Sequence, residues 1–237
     1  MKRLFFVLPM LVLSVMMMAE PKPLRVVVLG DDPMLASDAA KGSVGYATLL
    51  KPLFDDAVTV DVKASATLLP ADPASLLEPA RKGDIAILCK LPVEVQADEK
   101  LMSDIYMEQL AAIQQAAKKK GVKTIWLTQG CVRYFTADST QVHRQGAYPD
   151  VVRRLCKRDH LQFIDVEQLM FDWLTETGLD STATAFVPVE PATPVAANKV
   201  AREGNLLTEE GAQKVASLVG DAIRADKKNL LFKRLRQ

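Results

Sequence analysis

The stretch "RVVVLGDDPM" (Arg25 to Met34) decides the fold. An apolar run ends at Gly30, and two acids and a proline come directly after it. A strand written as continuous apolar residues, without alternation, is buried on both faces, as in a parallel sheet. Such a strand delivers the residues beyond its glycine to the carboxyl edge of the sheet, where open α/β folds build their sites. The residues delivered here are Asp31 and Asp32.

Outward from this strand, short β-rich runs alternate with longer helical patterns. Strands are expected over residues 24–30, 57–62, 84–89, 124–128 and 162–165, and helices over 45–54, 98–120, 149–158, 166–177 and 208–225. The last helix opens on "TEEG", with Thr208 as N-cap and Glu209 and Glu210 in the first turn, where the helix dipole favours acids. The alternation implies right-handed βαβ units and a doubly wound parallel sheet. Between Leu179 and Asn205 the periodicity stops, and Pro188, Pro191 and Pro194 mark a long connection of the kind that lines a ligand crevice.

The first twenty residues, "MKRLFFVLPMLVLSVMMMAE", have a basic start, an apolar run from Leu4 to Met18 and a small residue, Ala19. They read as a secretory signal peptide (1–19), with an uncleaved anchor as the alternative. No Cys follows the apolar run, so the expected location is secreted or periplasmic. One domain should occupy 20–237, with a basic tail at 226–237. Two of the 30 basic residues, Lys2 and Arg3, lie in the leader, leaving 28 against 29 acidic ones. That balance implies neither nucleic acid nor an anionic membrane as partner. The tail "KKNLLFKRLRQ" reads as a frayed, solvated helix end. Cys89 and Cys156 read as core residues. With Cys131 they make an odd number, and one disulfide stays open. No spacing of Cys or His points to a metal, and no cofactor is implied.

Six blocks resemble the SGNH (GDSL-like) hydrolases, and within them the rhamnogalacturonan acetylesterase-like carbohydrate esterases. "VVVLGDDPM" stands where that family has strand–G-D-S-T-M, and "GSVGYATLLKPLF" is similar to its G-W-G-x-x-L helix. "RKGDIAIL", "GVKTIWLTQGCVRYF", "GAYPDVVRRLCKRDHLQFIDV" and "NLLTEEGAQKVASLV" resemble four further blocks in the family's order. The resemblance implies a three-layer, flavodoxin-like α/β/α fold with strand order 2-1-3-4-5. It also implies a serine nucleophile, Gly and Asn support for the oxyanion, and an Asp-x-x-His pair. Here Asp32 stands at the serine position, Ala64 or Ser65 near the glycine, Val93 at the asparagine, Glu203 at the aspartate and Leu206 at the histidine. A hydroxyl nucleophile needs a base and preorganised donors. Val offers no donor and Leu no base, so the set reads as the remains of an active site.

Scaffold positions Gly30, Asp31, Arg133, Tyr148, Pro149, Asp165 and Gly211 remain. Candidate crevice residues are Asp31, Asp32, Arg133, Tyr134, His143, Glu203 and Asn205. Arg133 with Tyr134 and Phe135 suits an acetylated or uronic-acid-containing polysaccharide, by bidentate pairing and stacking. The alternative is an internal pairing of Arg133 with a loop acid. His143 reads either as a solvated loop residue or as a relocated base. His160, at the opposite edge, reads as surface. Asp32 and Glu203 could pair for acid–base work or hold a cation; the simpler reading has Asp32 capping the loop after strand one. The function expected is a secreted pseudo-hydrolase, with an active carbohydrate O-acetylesterase of rearranged centre as the alternative.

Overall fold

The computed structural model of the chain describes residues 22–64, 73–92, 99–136, 138–188 and 202–236. Residues 1–21, Val93 and the proline-rich part of the long connection lie outside the described residues. In chain order the strands and helices are β1 (Leu24–Gly30), β2 (Val58–Val62), β3 (Ile85–Cys89), α1 (Glu99–Lys120), β4 (Lys123–Leu127), β5 (Arg133–Phe135), α2 (Tyr148–Asp159), β6 (Gln162–Ile164), α3 (Val166–Thr177), β7 (Arg202–Gly204) and α4 (Glu209–Ala225). Five strands form a parallel sheet in the order β2-β1-β3-β4-β6, the 2-1-3-4-5 arrangement implied by the sequence.

Strand side chains alternate between faces, and this sorts the core into two halves. Val26 and Val28 of β1, with Ile85 and Ile87 of β3, pack against α3 and α4. Val27 and Leu29, with Ala86, Leu88 and Trp126, pack against α1 and α2. Met102, Tyr106, Leu110, Ile113 and Ala117 bury one stripe of α1 at helical spacing. Thr208 caps α4 by accepting from the Gly211 amide at 3.3 Å. Gly30 is fixed by a close approach: a Cβ there would stand 2.0 Å from the Cys89 carbonyl oxygen.

Two expectations, the helix over 45–54 and the frayed tail, are corrected, and two features are added. The helix over 45–54 is instead two 3₁₀ turns, Tyr46–Leu49 and Lys51–Leu53. Pro52 lacks the N–H that would continue an α-helix through the junction, and its ring opposes the preceding turn. The β5–β7 antiparallel pair adds two strands that the sequence pattern does not mark: three residues each carry too little periodicity, and the pairing spans the long connection. The tail is no frayed helix end. The helix stops at Ala225, Leu231 is fully buried, Arg236 donates its amide to the Leu53 carbonyl at 2.9 Å, and Arg234 pairs with Asp55 at 3.1 Å. Leu230, Leu231 and Leu235 supply the apolar contacts that dock it, and a bridge between Leu235 and Phe54 sets it against the segment before β2. Finally, Cys89, Cys131 and Cys156 are all free and buried. Among the described residues no helix is long and apolar enough to cross a membrane.

Truncating Leu231→Ala should destabilise the fold by about 2–5 kcal/mol, as for other buried leucines. Arg236→Ala, which removes an exposed ion pair with Asp56, should cost about 1 kcal/mol or less. Urea unfolding of both variants checks this. Indifference to Leu231→Ala would mean that the tail does not dock in solution.

Candidate functional site

Asp31 and Asp32 leave the end of β1 on opposite sides, as successive residues of an extended chain must. Asp31 turns toward α1. It is buried against Lys90, which is 2% exposed, and accepts the Leu91 amide at 2.6 Å. Lys90 Nζ also donates to the Leu91 carbonyl at 2.7 Å, and the Tyr106 hydroxyl donates to the Lys90 carbonyl. Burial pushes the Asp31 carboxyl up from its ordinary value, and the hydrogen bond from Lys90 pulls it back.

Asp32 turns the other way and is 3% exposed. Its Oδ1 accepts the Met34 amide at 2.9 Å and its Oδ2 accepts the Gly130 amide at 2.7 Å. The Cys89 thiol donates to Oδ2 at 3.6 Å. Burial raises the Asp32 pKa, and the two backbone amides oppose that shift. The buried Tyr46 hydroxyl lies in the same region and has no hydrogen-bond partner among the described residues; burial first, then Cys89 and Asp32, push its pKa well up. Asp32 therefore ties the loop after β1 to the loop after β4. Neither oxygen faces open solvent.

Gly130 extends this tie. Its carbonyl accepts from Gln145 Nε2 at 2.7 Å, and a Cβ at position 130 would stand 2.2 Å from Met34 Sδ. Two residues before Gln145, the His143 ring stacks on Phe171 with centroids 3.7 Å apart and planes within 8°. His143 Nδ1 lies 2.5 Å from Glu167 Oε1. The His143 side chain is 50% exposed, whereas Glu167 is 1% exposed. Glu167 is held besides by Arg153 at 2.8 Å, and Arg153 also grips Asp165 at 2.7 Å and Asp150 at 2.7 Å. A buried carboxylate orienting a half-exposed imidazole is the geometry that general bases use.

Arg133 points inward instead of offering its guanidinium to the crevice. Its Nε donates to Thr182 Oγ1 at 3.0 Å and its Nη2 to the Leu179 carbonyl, and its Cζ stands 5.4 Å from the Phe135 ring centre. The internal role, the alternative left open by the sequence, is the one found, with the Thr182 hydroxyl and the Leu179 carbonyl among its partners. Tyr134 carries the Arg144 guanidinium over its ring at 4.4 Å. Its backbone pairs with Glu203 across β5 and β7. Asn205 is exposed. Leu206 gives its carbonyl to the Val187 amide at 2.9 Å, and the neighbouring Leu207 carbonyl accepts the Val44 amide at 2.9 Å, which sets this segment against the loop after β1. Asp32 and the Leu206 segment thus share one edge of the sheet. Burial pushes the thiols of Cys131 and Cys156 up to about 12, so neither serves as a thiolate nucleophile near neutrality. Among the described residues no group of three or more His, Cys, Asp or Glu is arranged to hold a metal.

Sequence reasoning passes over Lys90, Glu167, Arg153 and Tyr46. Lys90 carries a usable signal: it is the one charged residue in "IAILCKLPV", and a charge ending a buried strand needs a partner. Glu167 carries none, since an acid in a first helical turn is explained by the dipole alone.

No protein-family model matches the chain, and no curated protein matches its sequence. Solved structures do match. The Bacillus subtilis protein YxiM is similar over 86% of this chain, with a TM-score of 0.59 at 16% identity. The acetyl xylan esterase AlAXEase is similar over 84% of this chain and 99% of its own, with a TM-score of 0.56 at 16% identity. A Desulfitobacterium hafniense protein described as lipolytic and of the G-D-S-L family is similar over 84% and 98%, with a TM-score of 0.52 at 12% identity. The chain has the SGNH-hydrolase fold. It spans 57% of the length of YxiM and nearly all of the other two.

The Asp32 geometry makes a prediction. Asp32→Asn keeps the shape but accepts through one oxygen only, so one buried amide loses its partner, at a cost of about 1–3 kcal/mol near neutrality. A carboxyl whose folded pKa is raised contributes stability that is complete below its unfolded value, about 3.9, and lost as the pH climbs through the higher folded value. The difference between wild type and Asp32→Asn should therefore be largest near that acid limit and shrink as the pH rises. Urea titrations over a pH series test this. A difference that grows with pH would contradict the assignment.

Proposed function

We propose that this chain is an exported pseudo-hydrolase: residues 20–237 act as one SGNH-like domain without ester chemistry that serves as a glycan-binding or interaction module. The observation that carries the reading is the state of Asp32. At the position the sequence resemblance gives to the serine nucleophile stands a carboxylate, 3% exposed, with both oxygens committed to backbone amides. An acyl-transfer nucleophile must reach the carbonyl carbon and surrender a proton to a base. Asp32 does neither, and Leu206, at the histidine position, has no proton-accepting atom. The expectation of export rests on the composition of residues 1–19. Relation by fold to AlAXEase supports a carbohydrate-linked role.

A second reading, an active carbohydrate esterase with a rearranged centre, is favoured by one observation: the half-exposed His143 oriented by Glu167. The two readings separate in one set of assays on the mature chain. The pseudo-hydrolase should release no acetate from acetylated oligosaccharides or nitrophenyl acetate and should take up no fluorophosphonate label. Stoichiometric serine labelling, or acetate release abolished by His143→Ala, would select the second.

Asp32→Ser alone should not create an esterase. Loss of triad function costs on the order of 10⁶ in rate, and one lost oxyanion donor ~10²–10³. By the sequence resemblance the base position holds Leu206 and the oxyanion-donor position Val93, so neither residue type could serve the new hydroxyl. Hydrolysis by Asp32→Ser well above background would show that a hidden base exists.

A further inference from the structure

We propose that the sheet edge at the amino ends of the strands is a basic docking face for a bilayer rich in anionic lipid headgroups. The proposal goes beyond the pseudo-hydrolase reading and holds whether or not ester chemistry survives. The chain is close to neutral in bulk, but its fold does not spread the charge evenly. Three segments meet at this edge: residues 78–84, the chain from the end of α1 into β4 (118–123), and the end of α2 with the residue after it (157–160). Together they carry eight Lys and Arg against three acids. Asp31 and Asp32 lie at the other end of β1, about 20 Å away at ~3.3 Å per residue.

Hydrogen bonds and strand register hold the three segments side by side. Lys120 Nζ donates to the Leu77 and Glu78 carbonyls at 2.8 and 3.2 Å. The Gly83 amide donates to the Gly121 carbonyl at 2.9 Å, and the Lys123 amide to the Asp84 carbonyl at 3.1 Å. Ile125, two residues after Lys123, pairs with Gln162, two residues after His160. Two of the three acids are committed, Asp84 to Arg25 at 2.8 Å and Asp159 to Arg158 at 2.6 Å. Arg81, Lys82, Lys118, Lys119, Lys123 and Lys157 are exposed and make no ion pair among the described residues. The helix dipole accounts for cations in the last turn of α1. It does not account for Arg81, Lys82 or Lys123, which lie outside the helices.

The N-terminal sequence favours lipid over other anionic surfaces. The register Val26–Ile85–Lys123 across β1, β3 and β4 places Lys22, four residues before Val26, beyond this same edge. The apolar run Leu4 to Met18 ends four residues before Lys22. A chain spans at most about 3.6 Å per residue, so the run ends within ~14 Å of Lys22. A bilayer that takes up the run, whether or not it is later cut away, therefore meets the domain on its basic side. Five of the six unpaired cations are Lys, and an ammonium acts as a point charge that a fluid layer of headgroups can satisfy. Each is worth about fivefold in partitioning near an anionic surface. The three segments hold no Phe, Tyr or Trp on which bases or sugar rings could stack. Docked in this way, the domain turns the edge with Asp32 away from the bilayer.

The test is co-sedimentation of residues 20–237, which lack the apolar run, with phosphatidylcholine vesicles containing about one-third phosphatidylglycerol. Pure phosphatidylcholine vesicles, a DNA duplex and polygalacturonate are the comparisons. The chain should partition onto the anionic vesicles at low salt, tenfold or more above the neutral ones, and leave them as salt rises. The combined variant Lys118→Gln, Lys119→Gln, Lys123→Gln should bind on the order of 100-fold more weakly, from three charges at about fivefold each. The variant Lys41→Gln, Lys63→Gln, Lys214→Gln removes the same net charge away from this edge and should change binding by about threefold or less. All six side chains are exposed, and an unchanged urea midpoint confirms that both variants fold. Equal binding to neutral vesicles overturns the proposal, as does no partitioning at low salt or an equal loss in both variants. Tighter binding to DNA or polygalacturonate than to the anionic vesicles overturns it in favour of that polymer.

Discussion

The Asp32 carboxylate, bonded to the Met34 amide at 2.9 Å and the Gly130 amide at 2.7 Å, holds together the two loops that in a working hydrolase of this fold would frame a substrate. A buried carboxylate is tolerated only where hydrogen bonds replace its water. Here they come from backbone, which cannot move aside without opening the edge of the sheet. The constraint then propagates. Gly130 is fixed from one side by Asp32 and from the other by Gln145, so the segment carrying His143 inherits its position from the same carboxylate. An acid gives each loop an oxygen of its own, whereas a serine at that place would have a single hydroxyl oxygen for both donors.

Asp31 has the complementary task on the other face of the sheet. With Lys90 it forms a buried ion pair, bracketed by the Leu91 amide on Asp31 and the Leu91 carbonyl on Lys90. Such a pair adds little net stability over an apolar one, but loss of either partner leaves an uncompensated charge. The end of β1 is therefore closed on both faces, by an ion pair toward α1 and by backbone amides toward α3. Catalytic sites keep reactive groups poised and reachable; here both acids at the end of β1 are buried and bonded. That contrast, more than any single substitution, underlies the pseudo-hydrolase reading.

Much of the scaffold is legible in the sequence because it is written locally. The continuous apolar runs "RVVVLG" and "DIAILC" mark β1 and β3, and "TEEG" marks the start of α4. The features that escape depend on distant partners. The β5–β7 pair joins residues some seventy positions apart through three-residue strands, below the length at which periodicity speaks. The tail reads as polar until its Leu231 finds the apolar surface beside β2. In the candidate site, the sequence anticipates Asp32 capping the loop after β1, as its bond to the Met34 amide does, but not its bond to the distant Gly130 amide, since a backbone partner far along the chain carries no sequence signature. Arg133 points inward because buried loop oxygens, invisible in the sequence, satisfy it.

Native-state amide exchange measures the central tie most directly, since it reports the Met34 and Gly130 amides one by one. If Asp32 is a lock, both amides exchange far more slowly than exposed loop amides in the wild-type protein. In Asp32→Ala they should lose that protection by about tenfold or more while the amides of β1 and β3 keep theirs. Fast exchange at Gly130 in the wild type, or unchanged protection in Asp32→Ala, would contradict the account and leave Asp32 free to act on a ligand.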